Sequence, residues 1–226
     1  MMQRPVLANP GLFLLAAAAA FSLCAGYGGF GATASFTDVS DMNRVFTELN
    51  AEWKGKDTFR MKSPVWWVGG HGAGLVDNIT VGGGGAATYY NLRADSVEAE
   101  FFGARPSFEL GYRIEPFEHG WLRPGLALSG TAWVCFVHSR ESFSDPNFSR
   151  WFYAWNAGLM PFLEVMGRFR YRDDNAVGVF AKTGYLLPVH GPTWYGDANP
   201  PEFSPDGFTL EFGVRFESRP RGPLRI

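Results

Sequence analysis

The stretch GFTLEFGVRFE, from Gly207 to Glu217, decides the fold class of this chain of 226 residues. Apolar residues occupy every second position in it, and polar residues or glycine occupy the positions between them. The apolar set is Phe208, Leu210, Phe212, Val214 and Phe216. Successive side chains of a β-strand point to opposite faces, so this alternation predicts a strand with one apolar and one polar face.

Seven further segments have the composition or the alternation of strands, and together they cover most of the chain. They are residues 27–36, 61–74, 79–92, 97–114, 122–138, 155–172 and 176–187. Most of them reach the length of about 9 to 11 residues that a tilted strand needs to cross a bilayer. In the fourth of these segments the apolar parity changes before Gly103, which predicts a β-bulge or kink between Gly103 and Pro106.

One segment has a helical pattern instead. In DVSDMNRVFTELN, apolar residues recur at helical spacing from Val39 to Leu49, and Asp38 or Ser40 can cap the first turn. The pattern predicts a short amphipathic helix over residues 40–50. We expect this helix to pack against the body of the fold; binding to a membrane surface and plugging of a barrel lumen are the alternatives.

The composition excludes one class of partner, and the N-terminus indicates export. The net charge is -2, and without a basic excess the chain is not expected to bind nucleic acid. Arg4, followed by an apolar run and small residues, is typical of a secretory signal peptide. The expected divisions are a signal peptide over residues 1–26, a β-barrel domain over 27–217 and a polar tail over 218–226. Cleavage after Ala34 instead would remove most of the first strand.

The connections between the predicted strands alternate in length. The long ones are residues 37–59, 139–150 and 188–207, the short ones are 75–78, 115–120 and 172–175, and 93–96 is the exception. Outer-membrane barrels have short turns on the periplasmic side and long external loops. The pattern therefore predicts an all-β fold, an antiparallel up-and-down β-barrel of about eight strands with both termini on the periplasmic side.

Periodicity alone leaves open which face of the strands looks inward. A lipocalin-like barrel buries its apolar face, whereas a membrane barrel turns that face to lipid. Aromatic residues near strand ends, such as Trp66, Trp67, Trp121 and Trp151, favour the membrane barrel, because interfacial girdles lie there. The predicted lumen network, a structural set of charges, consists of Glu109, Arg113, Arg123, Glu164, Arg168, Lys182, Glu211 and Arg215. Side chains just fill a lumen of eight strands, so we expect these charges to pair with one another.

Two stretches carry a resemblance to known proteins. The closing strand, with alternating aromatic residues and Phe216 near its end, resembles the C-terminal insertion signal of bacterial outer-membrane β-barrel proteins. WWVGGHGAG and ITVGGGGAATYY, after the short helix, resemble uncharacterised glycine-rich exported β-proteins of bacteria. The first resemblance implies the bacterial outer membrane as the location, with the lipid bilayer and the outer-membrane assembly machinery as partners, the latter through the C-terminal strand. The chain departs from that pattern at SRPRGPLRI, which follows Glu217.

Candidate chemistry in the sequence is sparse. GGHGAG and VGGGGAA lack the Lys and the Ser or Thr of a phosphate-binding loop. The histidines, whose spacing does not fit a metal site, are His71, His119, His138 and His190, so no metal and no cofactor is expected. Outer-membrane barrels that deacylate lipid A use a His, a Ser and a Glu, as in His138, Ser139 and Glu141. Adjacent residues of a strand face opposite ways, however, which argues against a shared site for the first two.

The function expected from the sequence is that of an outer-membrane β-barrel acting as a structural or interaction scaffold, with no catalytic residue and no enzymatic activity. Slow passage of very small solutes would accompany this role. One alternative is a secreted, soluble, lipocalin-like barrel that binds an apolar ligand. The other is a lipid-modifying outer-membrane hydrolase. The long connection over residues 188–207 is the candidate surface for an external ligand.

Overall fold

The computed structural model describes residues 26–52, 60–94, 97–117, 119–140, 149–172, 175–196 and 207–218. Within them the strands are β1 (Gly26–Phe36), β2 (Val65–Val76), β3 (Ile79–Arg93), β4 (Val97–Tyr112), β5 (Ile114–Phe117), β6 (Gly120–Ser139), β7 (Ser149–Arg172), β8 (Asn175–Gly196) and β9 (Gly207–Ser218), and the helix α1 is Ser40–Glu52. The predicted signal peptide and polar tail lie outside the described residues, apart from Gly26 and Ser218.

The strands form one closed antiparallel sheet. Consecutive strands pair with each other except β4 and β5, β1 pairs with β9, and β4 pairs with both β3 and β6. Strand β5 continues β4 beyond Arg113 and pairs with β6, so the two segments form one stave of an eight-stranded barrel. The prediction of an antiparallel up-and-down barrel of about eight strands with one short helix is confirmed within the described residues.

The two faces of the sheet are sorted so that charge lies inside the barrel and apolar side chains lie outside. In β7, Leu163 and Val165 are each 45% exposed, whereas Glu164 between them is 0% exposed. In β9, Phe212 and Phe216 are exposed and Arg215 is buried. A lipocalin-like barrel would bury its apolar face, and this chain has the opposite arrangement.

The barrel is taller on one side than on the other. Strands β1, β2 and β9 have 11 or 12 residues, whereas β6, β7 and β8 have 20 to 24. We call the end with Gly26, Ser218 and the two-residue turn Asp77–Asn78 the turn end, and the opposite end the loop end. The long strands extend past the short ones at the loop end by roughly 20 Å. This extension, residues 97–103, 133–139, 149–156 and 188–196, is called the wall.

Helix α1 plugs the mouth of the barrel at the loop end. Its N-terminus is capped by Asp38, whose Oδ1 accepts a hydrogen bond from the Ser40 backbone N–H at 2.9 Å, and this bond lowers the pKa of Asp38. Phe46 packs edge-on against Phe101 of the wall, with ring centroids 5.7 Å apart. No helix in the described segments is both long enough and apolar enough to span a membrane.

The apolar residues of the helix and of the inner wall form one cluster, which we call the apolar cap. It contains Val39, Met42, Val45, Phe46, Leu49, Met61, Val65, Trp67, Val97, Ala99, Phe101, Trp133, Cys135, Val137 and Phe152. The sequence leaves plugging of the lumen open as an alternative to packing against the body of the fold. The helix does both, because it packs against the inner wall from inside the mouth of the barrel. The short strands β1 and β2 end below the wall, so the inner face of the wall has no strand opposite it. The helix covers that face instead.

The bulge predicted between Gly103 and Pro106 is wrong. The pairing of β3 with β4 runs without a shift from Ile79 and Tyr112 to Arg93 and Glu98. Odd-numbered residues of β4 face inward along its whole length. The composition of the inward face changes instead of its parity, because the upper half meets the apolar cap and the lower half meets the charged lumen.

Two tryptophans assigned to an aromatic girdle point inward instead. Trp67 is 2% exposed and Trp121 is 0% exposed, whereas Trp66 and Trp151 are 47% and 44% exposed. Trp66 and Trp67 are adjacent on a strand, so only one of them can face outward. Trp121 Nε1 donates a hydrogen bond to Glu217 at 2.8 Å, which gives its polar atom a partner inside the barrel.

Glycines on the inward face of β3 are required by close approach of the neighbouring strand. A Cβ on Gly84 would lie 2.7 Å from the Gly70 carbonyl oxygen, whereas a Cβ on Gly85, which faces outward, would meet nothing within 4 Å. We therefore expect Gly84→Val to reduce the yield of refolded barrel several-fold and Gly85→Val to leave it unchanged. The yield is read from the faster migration of the unheated barrel on a gel. Equal yields for the two variants would contradict this account.

The apolar cap makes a second prediction. Phe46 is 1% exposed, so Phe46→Ala should lower the free energy of unfolding by about 3–5 kcal/mol through loss of buried area and creation of a cavity. Its neighbour Thr47 is exposed on the other face of α1, and Thr47→Ala should change stability by less than about 0.5 kcal/mol. Urea unfolding followed by tryptophan fluorescence measures both. A loss of similar size in the two variants would show that the helix does not plug the mouth.

Candidate functional site

A closed ring of ion pairs and hydrogen bonds lies inside the barrel, below the apolar cap. We call it the charged ring, and its members are Glu109, Arg123, Glu164, Arg215, His71, Glu211 and Lys182. Each side chain contacts the next one in this order, and Lys182 contacts Glu109. The ring is therefore continuous around the lumen.

The first half of the ring is built on two guanidinium groups. Arg123 Nη2 donates to Glu109 Oε2 and to Glu164 Oε2, each at 2.6 Å. Glu164 in turn contacts Arg215 through its other carboxylate oxygen. Arg123 is 1% exposed and both Glu164 and Arg215 are 0% exposed, so these charges are screened little by water and interact strongly.

The second half of the ring passes through a histidine. Arg215 Nε donates to His71 Nε2 at 3.0 Å, and His71 Nδ1 lies 3.2 Å from Glu211 Oε1. Lys182 Nζ lies 3.6 Å from Glu211 Oε2 and contacts Glu109 on its other side, which closes the ring.

The contacts of His71 assign its protonation state. Nε2 accepts a hydrogen bond from Arg215 and so carries no proton, which leaves the proton on Nδ1, where it is donated to Glu211. The imidazole is thus neutral. With a neutral histidine, the ring holds three cations and three anions, namely Arg123, Lys182 and Arg215 against Glu109, Glu164 and Glu211.

The ring touches every stave of the barrel. Its own members come from β2, β4, β6, β7, β8 and β9, and Arg123 extends it to the remaining two strands. Arg123 Nη1 contacts the Tyr27 hydroxyl of β1 and donates to Thr80 Oγ1 of β3 at 3.3 Å. The Arg215 guanidinium also lies over the rings of Tyr27 and Phe180, at 4.2 and 4.4 Å from their centroids, in cation–π geometry.

A second group of charges, the turn-end cluster, lies nearer the turn end and contains Arg113, Glu115, Arg168 and Glu217. Arg113 lies 2.6 Å from Glu115 and 3.0 Å from Glu217. Arg168 lies 3.2 Å from Glu115 and 3.5 Å from Glu217. Within the described residues, two cations and two anions therefore alternate around a square.

The eight lumen charges predicted from the sequence are divided between these two groups. Glu109, Arg123, Glu164, Lys182, Glu211 and Arg215 are in the charged ring, and Arg113 and Arg168 are in the turn-end cluster. The sequence analysis missed His71, Tyr27, Thr80, Glu115 and Glu217. Glu217 has the parity of Glu211 and Arg215 in β9, which could have identified it. His71 has the parity of Trp67 and Ala73, a face too poor in polar residues to indicate the lumen.

The residues considered for hydrolysis do not come together. His138 lies on the outer side of β6, with its Nε2 3.8 Å from Glu98 Oε2, while Ser139 is buried inside at 5% exposure. Glu141 lies outside the described residues. Among the residues that the structure describes, no group of three or more His, Cys, Asp or Glu side chains is placed to hold a metal ion.

No protein-family model and no curated protein matches this sequence. Among solved structures, the chain is similar to the outer membrane protease OmpT from Escherichia coli. The match has 10% sequence identity and a TM-score of 0.37, and it covers 86% of this chain and 94% of that chain. The expectation of no enzymatic activity is contradicted by this match, because the matched protein is itself a protease. The similarity assigns no catalytic role to any residue of this chain.

Glu164 is the member of the ring whose loss should cost most, because it joins two buried guanidinium groups. Glu164→Gln keeps the shape of the side chain but leaves Arg123 and Arg215 without this counter-charge. We expect the free energy of unfolding to fall by about 3–5 kcal/mol. Glu48→Gln, which breaks an exposed pair of 2.8 Å with Arg44 on α1, should cost less than about 0.5 kcal/mol.

Urea titration in detergent micelles measures both variants. Adding Arg215→Met to Glu164→Gln should recover part of the loss, because the double variant restores the balance of charge in the ring. Additive losses in the double variant would show that the two residues act independently.

Proposed function

We propose that this protein is embedded in the bacterial outer membrane through its apolar outer face, and that it acts there as a closed scaffold presenting its loop end to the exterior. The observation that carries this role is the sorting of the two faces of the sheet. A buried, charged lumen and an exposed apolar exterior suit a lipid environment and are unfavourable in water.

The apolar exterior encircles the molecule. At least one exposed apolar residue can be named on each of the eight staves: Phe30, Val68, Val81, Leu110, Leu128, Leu163, Val179 and Phe212. A partner protein covers one side of a surface, whereas a bilayer surrounds it. A continuous apolar belt therefore supports lipid rather than a single protein partner.

The two ends of the barrel support an orientation. Short turns are typical of the periplasmic side of outer-membrane barrels and long connections of the external side. On that basis the turn end faces the periplasm, and α1 and the wall face outward. Strand β9, with its alternating aromatic residues, is the segment through which the assembly machinery would recognise the chain.

Passage of solutes is not part of this role. The charged ring and the turn-end cluster occupy the lower lumen with ion-paired side chains, and α1 with the apolar cap occupies the upper lumen. A solute would have to displace side chains that are almost fully buried. What the barrel offers to the exterior is a rigid surface.

The outer face of the wall carries a ridge of aromatic side chains. Trp151 stacks on Tyr153 with centroids 5.4 Å apart and planes at 7°, and Tyr153 stacks on Tyr195 at 4.9 Å and 17°. The three rings are 37–44% exposed. Stacked aromatic residues lose little conformational entropy on binding and are common anchors of interfaces. They make the wall the interaction surface of the scaffold.

Site-directed spin labelling tests the proposed embedding. With Cys24 and Cys135 replaced by Ser, a nitroxide at Leu163 should be relaxed by oxygen, which partitions into lipid, and not by a water-soluble nickel chelate. A nitroxide at Tyr195 on the wall should show the opposite response. A label at Leu163 that responds to neither reagent would mean that the apolar face is buried in protein, and the membrane role would be lost.

Arginine substitution tests the proposed embedding through the free energy of unfolding. Phe212→Arg places a charge in the middle of the proposed lipid band, and it should lower the free energy of unfolding in vesicles by about 2–4 kcal/mol. Tyr195→Arg places the same side chain on the wall and should cost about 0–1 kcal/mol. Equal costs for the two variants, measured by urea unfolding in phosphatidylcholine vesicles, would contradict a lipid band at this height.

A further inference from the structure

A small cavity lies between the charged ring and the apolar cap. Its volume is about 50 Å³, room for roughly three or four water molecules. Arg105, Ser129, Met160 and Thr209 line the end nearer the cap, and Glu109, Lys182, Glu211 and His71 line the end nearer the ring. Arg105 and Glu109 stand on the same face of β4, four residues apart, and so mark the two ends.

Arg105 is a buried cation whose partners are all neutral. Its guanidinium donates to the hydroxyl of Ser35 at 3.1 Å, to the hydroxyl of Ser129 at 3.3 Å and to the sulfur of Met160 at 3.4 Å. The residue is 9% exposed. Within the described part of the chain, no carboxylate lies within ion-pair distance of it.

Among the lumen residues whose side chains the structure describes, Arg105 is the cation that has no carboxylate in either group. The charged ring holds three cations against three anions, and the turn-end cluster holds two against two. Glu109 and Glu211, which line the far end of the cavity, are both bonded to Lys182. Burial of one uncompensated guanidinium costs several kcal/mol, so a negative charge near Arg105 would be strongly favoured.

Two further polar residues beside Arg105 have unused hydrogen-bonding groups. Strands β4 and β6 keep one register from the pair Ala104 and Ala132 to the pair Ser107 and Ser129. Arg105 of β4 therefore lies opposite Thr131 of β6. Thr131 pairs with Asn156 of β7. These two residues are each 3% exposed, and Thr131 Oγ1 and both side-chain polar atoms of Asn156 have no hydrogen-bond partner among the described residues.

We propose that the Arg105 end of this cavity binds a small monovalent anion of the size of chloride. One negative charge would offset the Arg105 guanidinium. The guanidinium N–H groups supply the charge. Thr131 and Asn156 stand beside Arg105 but do not line the cavity, so their donors would reach the anion through a water. The anion would lie between the two blocks of the interior and join the polar ring to the apolar cap.

The first test is the dependence of stability on halide. The full chain, folded in zwitterionic detergent, is heated in mixtures of sodium chloride and sodium gluconate at constant ionic strength, because gluconate is too large for the cavity. The unfolding temperature should rise with chloride concentration and continue to rise beyond half-saturation, since the ligand binds the folded state. Arg105→Met should abolish this dependence, and Arg44→Met, which removes an exposed cation, should leave it intact.

Two outcomes of this titration would overturn the anion site. One is an unfolding temperature of the unchanged chain that does not depend on chloride. The other is an Arg105→Met variant that keeps the full dependence, which would place the effect elsewhere on the protein.

A second measurement needs no variant and decides the case if Arg105→Met does not fold. Crystals of the unchanged chain are grown in sodium bromide, and the anomalous signal of bromide is measured. A peak beside the Arg105 guanidinium inside the barrel supports the site. Bromide peaks on the surface alone, with none beside Arg105, would show that the cavity holds water, and the proposed site would be rejected.

Discussion

The structure depends on one constraint, which is that each charge left unpaired in the narrow interior of an eight-stranded barrel costs several kcal/mol. The charged ring meets it by pairing residues across the lumen as well as between neighbouring strands. Lys182 of β8 reaches Glu109 of β4, and Arg215 of β9 reaches Glu164 of β7. These strands are not neighbours in the sheet, so the ring cross-links staves that backbone hydrogen bonds cannot connect.

The ring also explains why the interior has two different halves. At the height of the ring all eight staves are present, including the short β1, β2 and β9, and side chains of the strands fill the lumen. Above that height the wall has no opposite side, and an apolar helix replaces the missing strands. Phe46 and Phe101 meet there, and the same strand β4 that carries Glu109 below carries Phe101 above.

Sequence periodicity was sufficient for the fold and for the polar face, and insufficient wherever the interior was apolar. In β9 every inward residue near the ring is polar or glycine, so alternation alone separates Glu211 and Arg215 from their apolar neighbours. In β7 the inward residues on either side of Glu164 are the apolar Phe162 and Met166. In β4 the inward face changes from apolar to charged, and this change was interpreted as a bulge. His71 and Tyr27 belong to glycine-rich strands with little alternation, and their roles depend on partners more than 90 residues away.

The position of β9 in the ring has a consequence for the order of assembly. This strand closes the barrel against β1, and it carries both Arg215 and Glu211, the partners of Glu164, His71 and Lys182. Until β9 is in place, an open sheet of the other strands exposes unpaired charges on its concave side, which is costly wherever water is excluded. Closure of the barrel by β9 and pairing of the charges in the ring are therefore a single event. The charges that stay unpaired distinguish a chain whose last strand is not yet in place from a closed barrel.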